Sequence, residues 1–140
     1  MASLTAEDFI TNKNLYSALP RGPRSLLFVL GILNSKLLSY LYVKQVTQAT
    51  KDDFAQVTIQ DASALPFPAA VSTESERRME GLAQRMIDLH KRLRVVRTPS
   101  DKTAIQRQID ATDEEIDQLV YELYGLSADE ILSVERATPR

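Results

Sequence analysis

The stretch from Met79 to Leu123, MEGLAQRMIDLHKRLRVVRTPSDKTAIQRQIDATDEEIDQLVYEL, decides how this chain is read. Apolar residues recur at Met79, Leu82, Met86, Leu89, Leu93 and Val96, three and four residues apart by turns. After a break at Thr98-Pro99-Ser100 the spacing resumes with Ile105, Ile109, Thr112, Ile116, Leu119 and Leu123. Alternating three-four spacing is the seam of a helix that packs on another helix. The two seams also match layer for layer: Met79 with Leu119, Leu82 with Ile116, Met86 with Thr112, Leu89 with Ile109, Leu93 with Ile105. A turn centred on Pro99 therefore predicts an antiparallel helical hairpin over residues 72–126.

The helix ends are punctuated. Thr73 with Glu76 predicts a capping box before the first long helix, and Thr98 with Pro99 and Asp101 predicts a cap before the second. Gly125 is placed to stop the second helix, and Ser127 with Glu130 to start a short third one that runs into a tail over 127–140.

Outward from the hairpin, residues 1–71 read as a small body. Leu26 to Tyr42 is apolar nearly all round, which at that length predicts a helix over about 24–43, buried on most sides. Gly31 in its middle costs about 1 kcal/mol of helix propensity relative to alanine, so close approach of a neighbouring backbone, or a kink, is expected there. Asn34 and Ser35 need hydrogen-bond partners inside an apolar helix and are expected to tie it to a loop or strap. Gln45 to Asp53 is polar and reads as a loop, whereas the alternation in Phe54–Gln60 predicts a short strand. A second short strand is expected at Asn14–Leu19. Leu65-Pro66-Phe67-Pro68 is an extended strap that lays Leu65 and Phe67 on the body. The fold class expected is α+β, predominantly α: a small body with a buried helix and short strands, carrying the long hairpin.

At 140 residues the chain suits one domain with its own core. A net charge of −2 gives no global pull toward phosphate, which argues against an autonomous, strongly basic DNA binder. With no cysteine, disulfides, thiolate metal sites and cysteine nucleophiles drop out. The longest apolar run is interrupted by polar residues and is too short to span a bilayer comfortably, and no secretory leader is visible; a cytoplasmic protein without membrane contact is the expectation.

The order of three runs resembles a known family. They are Leu30-Gly31-Ile32-Leu33-Asn34-Ser35-Lys36-Leu37-Leu38-Ser39-Tyr40, the Leu65–Pro68 strap, and Glu115-Ile116-Asp117-Gln118-Leu119-Val120-Tyr121-Glu122-Leu123-Tyr124-Gly125-Leu126 with Ser127 and Glu130-Ile131 after it. Together they are similar to the carboxyl-terminal target-recognition region of adenine-specific DNA methyltransferases. Single-chain type II restriction–modification enzymes that join methylase and nuclease are among these. The resemblance spans roughly residues 10–135. It implies duplex DNA and an upstream methyltransferase domain as partners, and S-adenosylmethionine as a cofactor of the parent enzyme. This chain has neither the glycine-containing cofactor loop nor an Asn-Pro pair of the catalytic motif. It therefore reads as a non-catalytic fragment that positions the parent on DNA, with no cofactor of its own.

Candidate contacts to DNA are the basic residues around the buried helix, Arg21, Arg24, Lys44 and Lys51, and Arg92, Arg94 and Arg97 near the hairpin tip. Lys13 joins the first group as an isolated surface lysine. The segment Arg85–Arg97 holds five bases against Asp88, and Asp110–Glu122 holds six acids and no base. The basic face thus has a second reading, pairing with the acidic helix, with Arg85 opposite Asp113. Asp110, Asp113, Glu114 and Asp117 read as a solvated acidic face and not as a metal site, and His90 as a helix-surface histidine; no catalytic residue is assigned. Ile87, Val120, Tyr121 and Tyr124 fall off the seam and are expected to pack on the body or on a second copy. That motivates the alternative reading, a hairpin that drives homodimerisation with no direct role in DNA binding.

Overall fold

A computed structural model describes residues 2–7, 17, 19, 22–49 and 59–139. Regular structure among them is entirely helical: α1 (Leu26–Leu33), α2 (Lys36–Ala49), α3 (Ile59–Ala64), α4 (Thr73–Val95), α5 (Pro99–Tyr124) and α6 (Ala128–Ala137). This corrects the α+β expectation. Most of the segment expected as a strand over 54–60 lies outside the described residues, but its last two, Ile59 and Gln60, open α3. Period-2 alternation over so short a run does not exclude a helix at its end, and no described strand offers an edge to pair with. Of the Asn14–Leu19 strand only Ser17 and Leu19 are described, and both are irregular.

α4 and α5 pack along their length as partners running in opposite directions, as the cross-links Arg78–Glu122 and Arg85–Glu115, both 3.7 Å, show. Arg85 thus meets Glu115 and not Asp113, because flanking positions of two packed helices meet offset from the layers of the seam. Both pairs are half-exposed and contribute at most about 1 kcal/mol each. Met79, Leu82, Leu89, Ile105, Ile109, Thr112, Ile116 and Leu119 are buried, with Met86, Leu93, Val96 and Leu123 half-buried beside them. The hydroxyl of Thr112, fully buried, donates to the Gln108 carbonyl one turn back at 2.7 Å, so the polar seam position is satisfied within its own helix.

Caps define the helix ends. Ser72, not Thr73, caps α4, accepting from the Ser75 N–H at 3.1 Å. Thr98 caps α5 by accepting from the Asp101 N–H at 3.2 Å, with Pro99 as its first residue. Gly125 ends α5 in the left-handed region at φ 65°, a conformation that costs other residues about 1 kcal/mol or more. Ser127 and Glu130 form a reciprocal capping box on α6, and the bonds from the Ser127 backbone and hydroxyl hold the Glu130 carboxyl below its ordinary value.

The run expected as one buried helix is two. α1 and α2 are bent by 62° at Asn34–Ser35, and α2 continues through residues 45–49, which were expected to be loop. Ser35 creates the break: its hydroxyl donates to the Ile32 carbonyl at 2.7 Å and accepts from the Leu38 N–H at 3.3 Å, ending one helix and starting the next. Asn34 pairs both ways with Ala2, accepting its N–H at 2.7 Å and donating to its carbonyl at 2.9 Å, which pins the amino-terminal segment. No single helix among the described residues is long and apolar enough to cross a membrane.

One core cluster unites the body with the near half of α4 and α5: Phe28, Ile32, Leu37, Leu38, Met79, Leu82, Ile116, Leu119, Val120, Tyr121 and Val134. A second, Leu89, Ile105 and Ile109, fills only the far half of the two long helices, and Met86 touches both. Gly31 is where α1 approaches α4: a Cβ there would lie 2.9 Å from Met79 Cγ and nearer still to its sulfur. The neighbour is therefore a side chain and not a backbone. In the proline strap, Leu65 is half-buried and Pro68 buried, whereas Phe67, expected on the body, is 42% exposed.

Candidate functional site

The geometry separates the basic candidates into two places. Arg24 precedes α1, half-buried, with its guanidinium 5.3 Å from the centre of the Phe28 ring. The next residue, Ser25, donates its N–H to Glu76 in the first turn of α4. Arg92 lies four and a half turns further along α4, roughly 24 Å away at 1.5 Å per residue. Lys44, on α2, is exposed, with its ammonium 5.5 Å from the Tyr40 ring centre. Arg21, Lys51 and Lys13 lie outside the described residues. Arg92, Arg94 and Arg97 are exposed in and just beyond the last turn of α4, at the tip formed with the start of α5. Stacking on Phe28 makes Arg24 more a part of the body than a free contact.

A polar centre that residue patterns did not predict joins the body to the arm. Asp117, expected on a solvated acidic face, is 1% exposed. Its Oδ1 accepts the backbone N–H of Lys36, the first residue of α2, at 2.9 Å, and its Oδ2 lies 3.9 Å from Lys36 Nζ. A carboxylate there meets the unpaired N–H groups and positive dipole end of α2. Lys36 Nζ donates to Glu135 Oε2 on α6 at 2.6 Å, and the hydroxyl of Tyr121 donates to Glu135 Oε1 at 2.8 Å. Three helices, α2, α5 and α6, are thereby locked at one point. Charge periodicity does not show it, because spacing alone places Asp117 with Asp110, Asp113 and Glu114. The available signal was its apolar setting, with Ile116, Leu119, Val120 and Tyr121 around it. Lys36 and Asp117 come from two of the three runs that carry the family resemblance, so those runs meet in space.

The off-seam aromatics turn to the body. Tyr121 is buried, and the hydroxyl of Tyr124 donates to the Pro66 carbonyl of the strap at 2.8 Å; burial pushes its pKa up to about 12. The arrangement offers structural carboxylates and exposed cations. Among the described residues no three potential metal ligands converge, and His90 is exposed on α4.

The chain is similar to known proteins in two comparisons. Residues 1–67 match the TaqI-like C-terminal specificity domain, a segment that covers the body and ends in the strap. One relative is a protein of Methanocaldococcus jannaschii named as a type II restriction enzyme and methyltransferase, 29% identical over 126 residues, or 89% of this chain. The chain spans 10% of that relative's length. No solved structure matches the chain. Both likenesses agree with the resemblance to the target-recognition region of restriction–modification enzymes.

Proposed function

We propose that this chain is the carboxyl-terminal part of the DNA target-recognition region of an adenine-specific methyltransferase or restriction–modification enzyme, and that it holds the parent enzyme on duplex DNA. The single observation that carries this reading is the match of residues 1–67 to a specificity domain. The Lys36–Asp117–Glu135 centre supports it: a recognition body rigidly joined to a long helical arm suits a part that must keep a fixed geometry between a duplex and a neighbouring domain. Methyl transfer and S-adenosylmethionine belong, on this reading, to the upstream domain that is the chain's protein partner.

The test is binding of the chain to a fluorescent duplex across a salt series. Contact with phosphates gives affinity that falls steeply and log-linearly with salt. Absence of binding at low salt, together with a concentration-dependent dimer in sedimentation, would instead select the homodimerisation module.

A further inference from the structure

The arm formed by α4 and α5 is electrically polarised along its length. Its tip, residues 91–107, carries Lys91, Arg92, Arg94, Arg97, Lys102 and Arg107 against the single acid Asp101. All six bases are exposed, and among the described residues no ion pair occupies any of them. Lower down the same arm, Arg78 and Arg85 are held by Glu122 and Glu115, and residues 108–124 of α5 carry six acids and no base. The carboxyl of Asp101 is itself engaged by the Thr98 hydroxyl at 2.5 Å, within the cap of α5.

From this we propose that the tip of the arm, around Arg92, Arg94, Arg97, Lys102 and Arg107, contacts the phosphates of duplex DNA end-on. The arm does not lie along the duplex, because its acidic lower half would face the phosphates at close range, and like charges there repel. Five or six cations on a rigid tip, clear of the specificity-matched body, make a contact that adds affinity and register without reading bases. The inference deepens the DNA-recognition reading and rests on it.

The absence of cysteine from the chain makes the test clean. Ser100→Cys at the tip, Gln118→Cys on the lower arm and Gln45→Cys on the body, all exposed positions, are each labelled with a benzophenone maleimide and photo-crosslinked to a duplex of mixed sequence. The expected result is crosslinking from position 100 and not from position 118. In parallel, Arg92→Gln, Arg94→Gln and Arg97→Gln combined should weaken binding at least tenfold at low salt. The same variant should reduce the salt slope by about 3, close to one for each phosphate left without its cation, with helicity by circular dichroism unchanged. Crosslinking from position 118 as strong as from 100 overturns the end-on contact. Crosslinking from position 45 alone, with affinity and slope unmoved in the triple variant, overturns the tip contact and leaves the DNA-recognition reading standing. No crosslink and no binding by the unsubstituted chain overturns both.

Discussion

The carboxylate of Asp117, in the middle of α5, accepts the backbone N–H of Lys36, the residue that starts α2, at 2.9 Å. One side chain of the arm thus serves as the anion at the amino-terminal end of a helix of the body. The bend at Asn34–Ser35 exposes those N–H groups, so bend and carboxylate depend on each other. An unbroken helix from 26 to 49 would have left Asp117 buried without this partner.

Removing that carboxylate should loosen the junction. Asp117→Ala is expected to cost about 1–3 kcal/mol, the range for leaving a buried donor unsatisfied, since the Lys36 ammonium keeps Glu135. Asp117→Asn, which keeps an oxygen for the Lys36 N–H, should cost less than half of that. Urea denaturation read by circular dichroism measures both. Equal losses would show that the charge, not the hydrogen bond, carries the effect.

Gly31→Ala has two opposed effects. It gains about 1 kcal/mol of helix propensity but drives a methyl into Met79, which is fully buried, at about 1–3 kcal/mol for overpacking. The net expectation is destabilisation by about 1 kcal/mol. In a Met79→Ala background the clash is gone and the same change should be neutral or stabilising. A double-mutant cycle of melting curves reads the difference directly, since the two sites touch.

The far half of the arm should behave as its own unit of stability. Among the described residues, Leu89, Ile105 and Ile109 form a cluster that meets the body's core through Met86 alone. Leu89→Ala, a core truncation of about 2–5 kcal/mol, is expected to strip hydrogen-exchange protection from residues 86–110 while amides of α1 keep theirs. Uniform loss of protection across the chain would show the two clusters to be one cooperative core.

Tyr124 gives a pH signature. Its ordinary value is 10.0, and burial raises it to about 12. The fold thus favours the neutral phenol, whose hydroxyl bonds Pro66. Stability from this group is complete below about pH 10 and is lost as pH climbs from 10 toward 12. Phenolate absorbance should show a late-titrating tyrosine that disappears in Tyr124→Phe. That variant should also flatten the alkaline loss of stability.

Much of the local structure could be read from residue type and spacing because it depends only on neighbours along the chain. Thr98-Pro99, Gly125 and the Ser127–Glu130 pair act on backbone groups within one turn of themselves, so their roles are visible without a fold. Ser35 was harder. Serine within an apolar run is equally compatible with a helix that bonds back to itself and with one that ends. The acceptor that the new helix start needs for the Lys36 N–H comes from Asp117, 82 residues away from Ser35. Arg24 shows the same limit for the candidate contacts: only the placement of Phe28 beneath it distinguishes a stacked arginine of the body from an exposed one. Ile59 and Gln60, expected to close a strand, open α3 for a related reason, since a strand needs an edge to pair against and no described element offers one.

By itself, then, the sequence determined the apolar faces of α4 and α5, the residues that start and stop the helices, and the likeness to a target-recognition region. Each of these is set by spacings of a few residues or by short runs of side chains. Tertiary structure alone decided that α1 and α2 part at Ser35, that Asp117 is an interior anion and not a solvated one, and that the paired arginines sit low on the arm while the tip keeps its charge. Those outcomes turn on which distant groups come within hydrogen-bonding or Coulombic reach, and only packing brings them there.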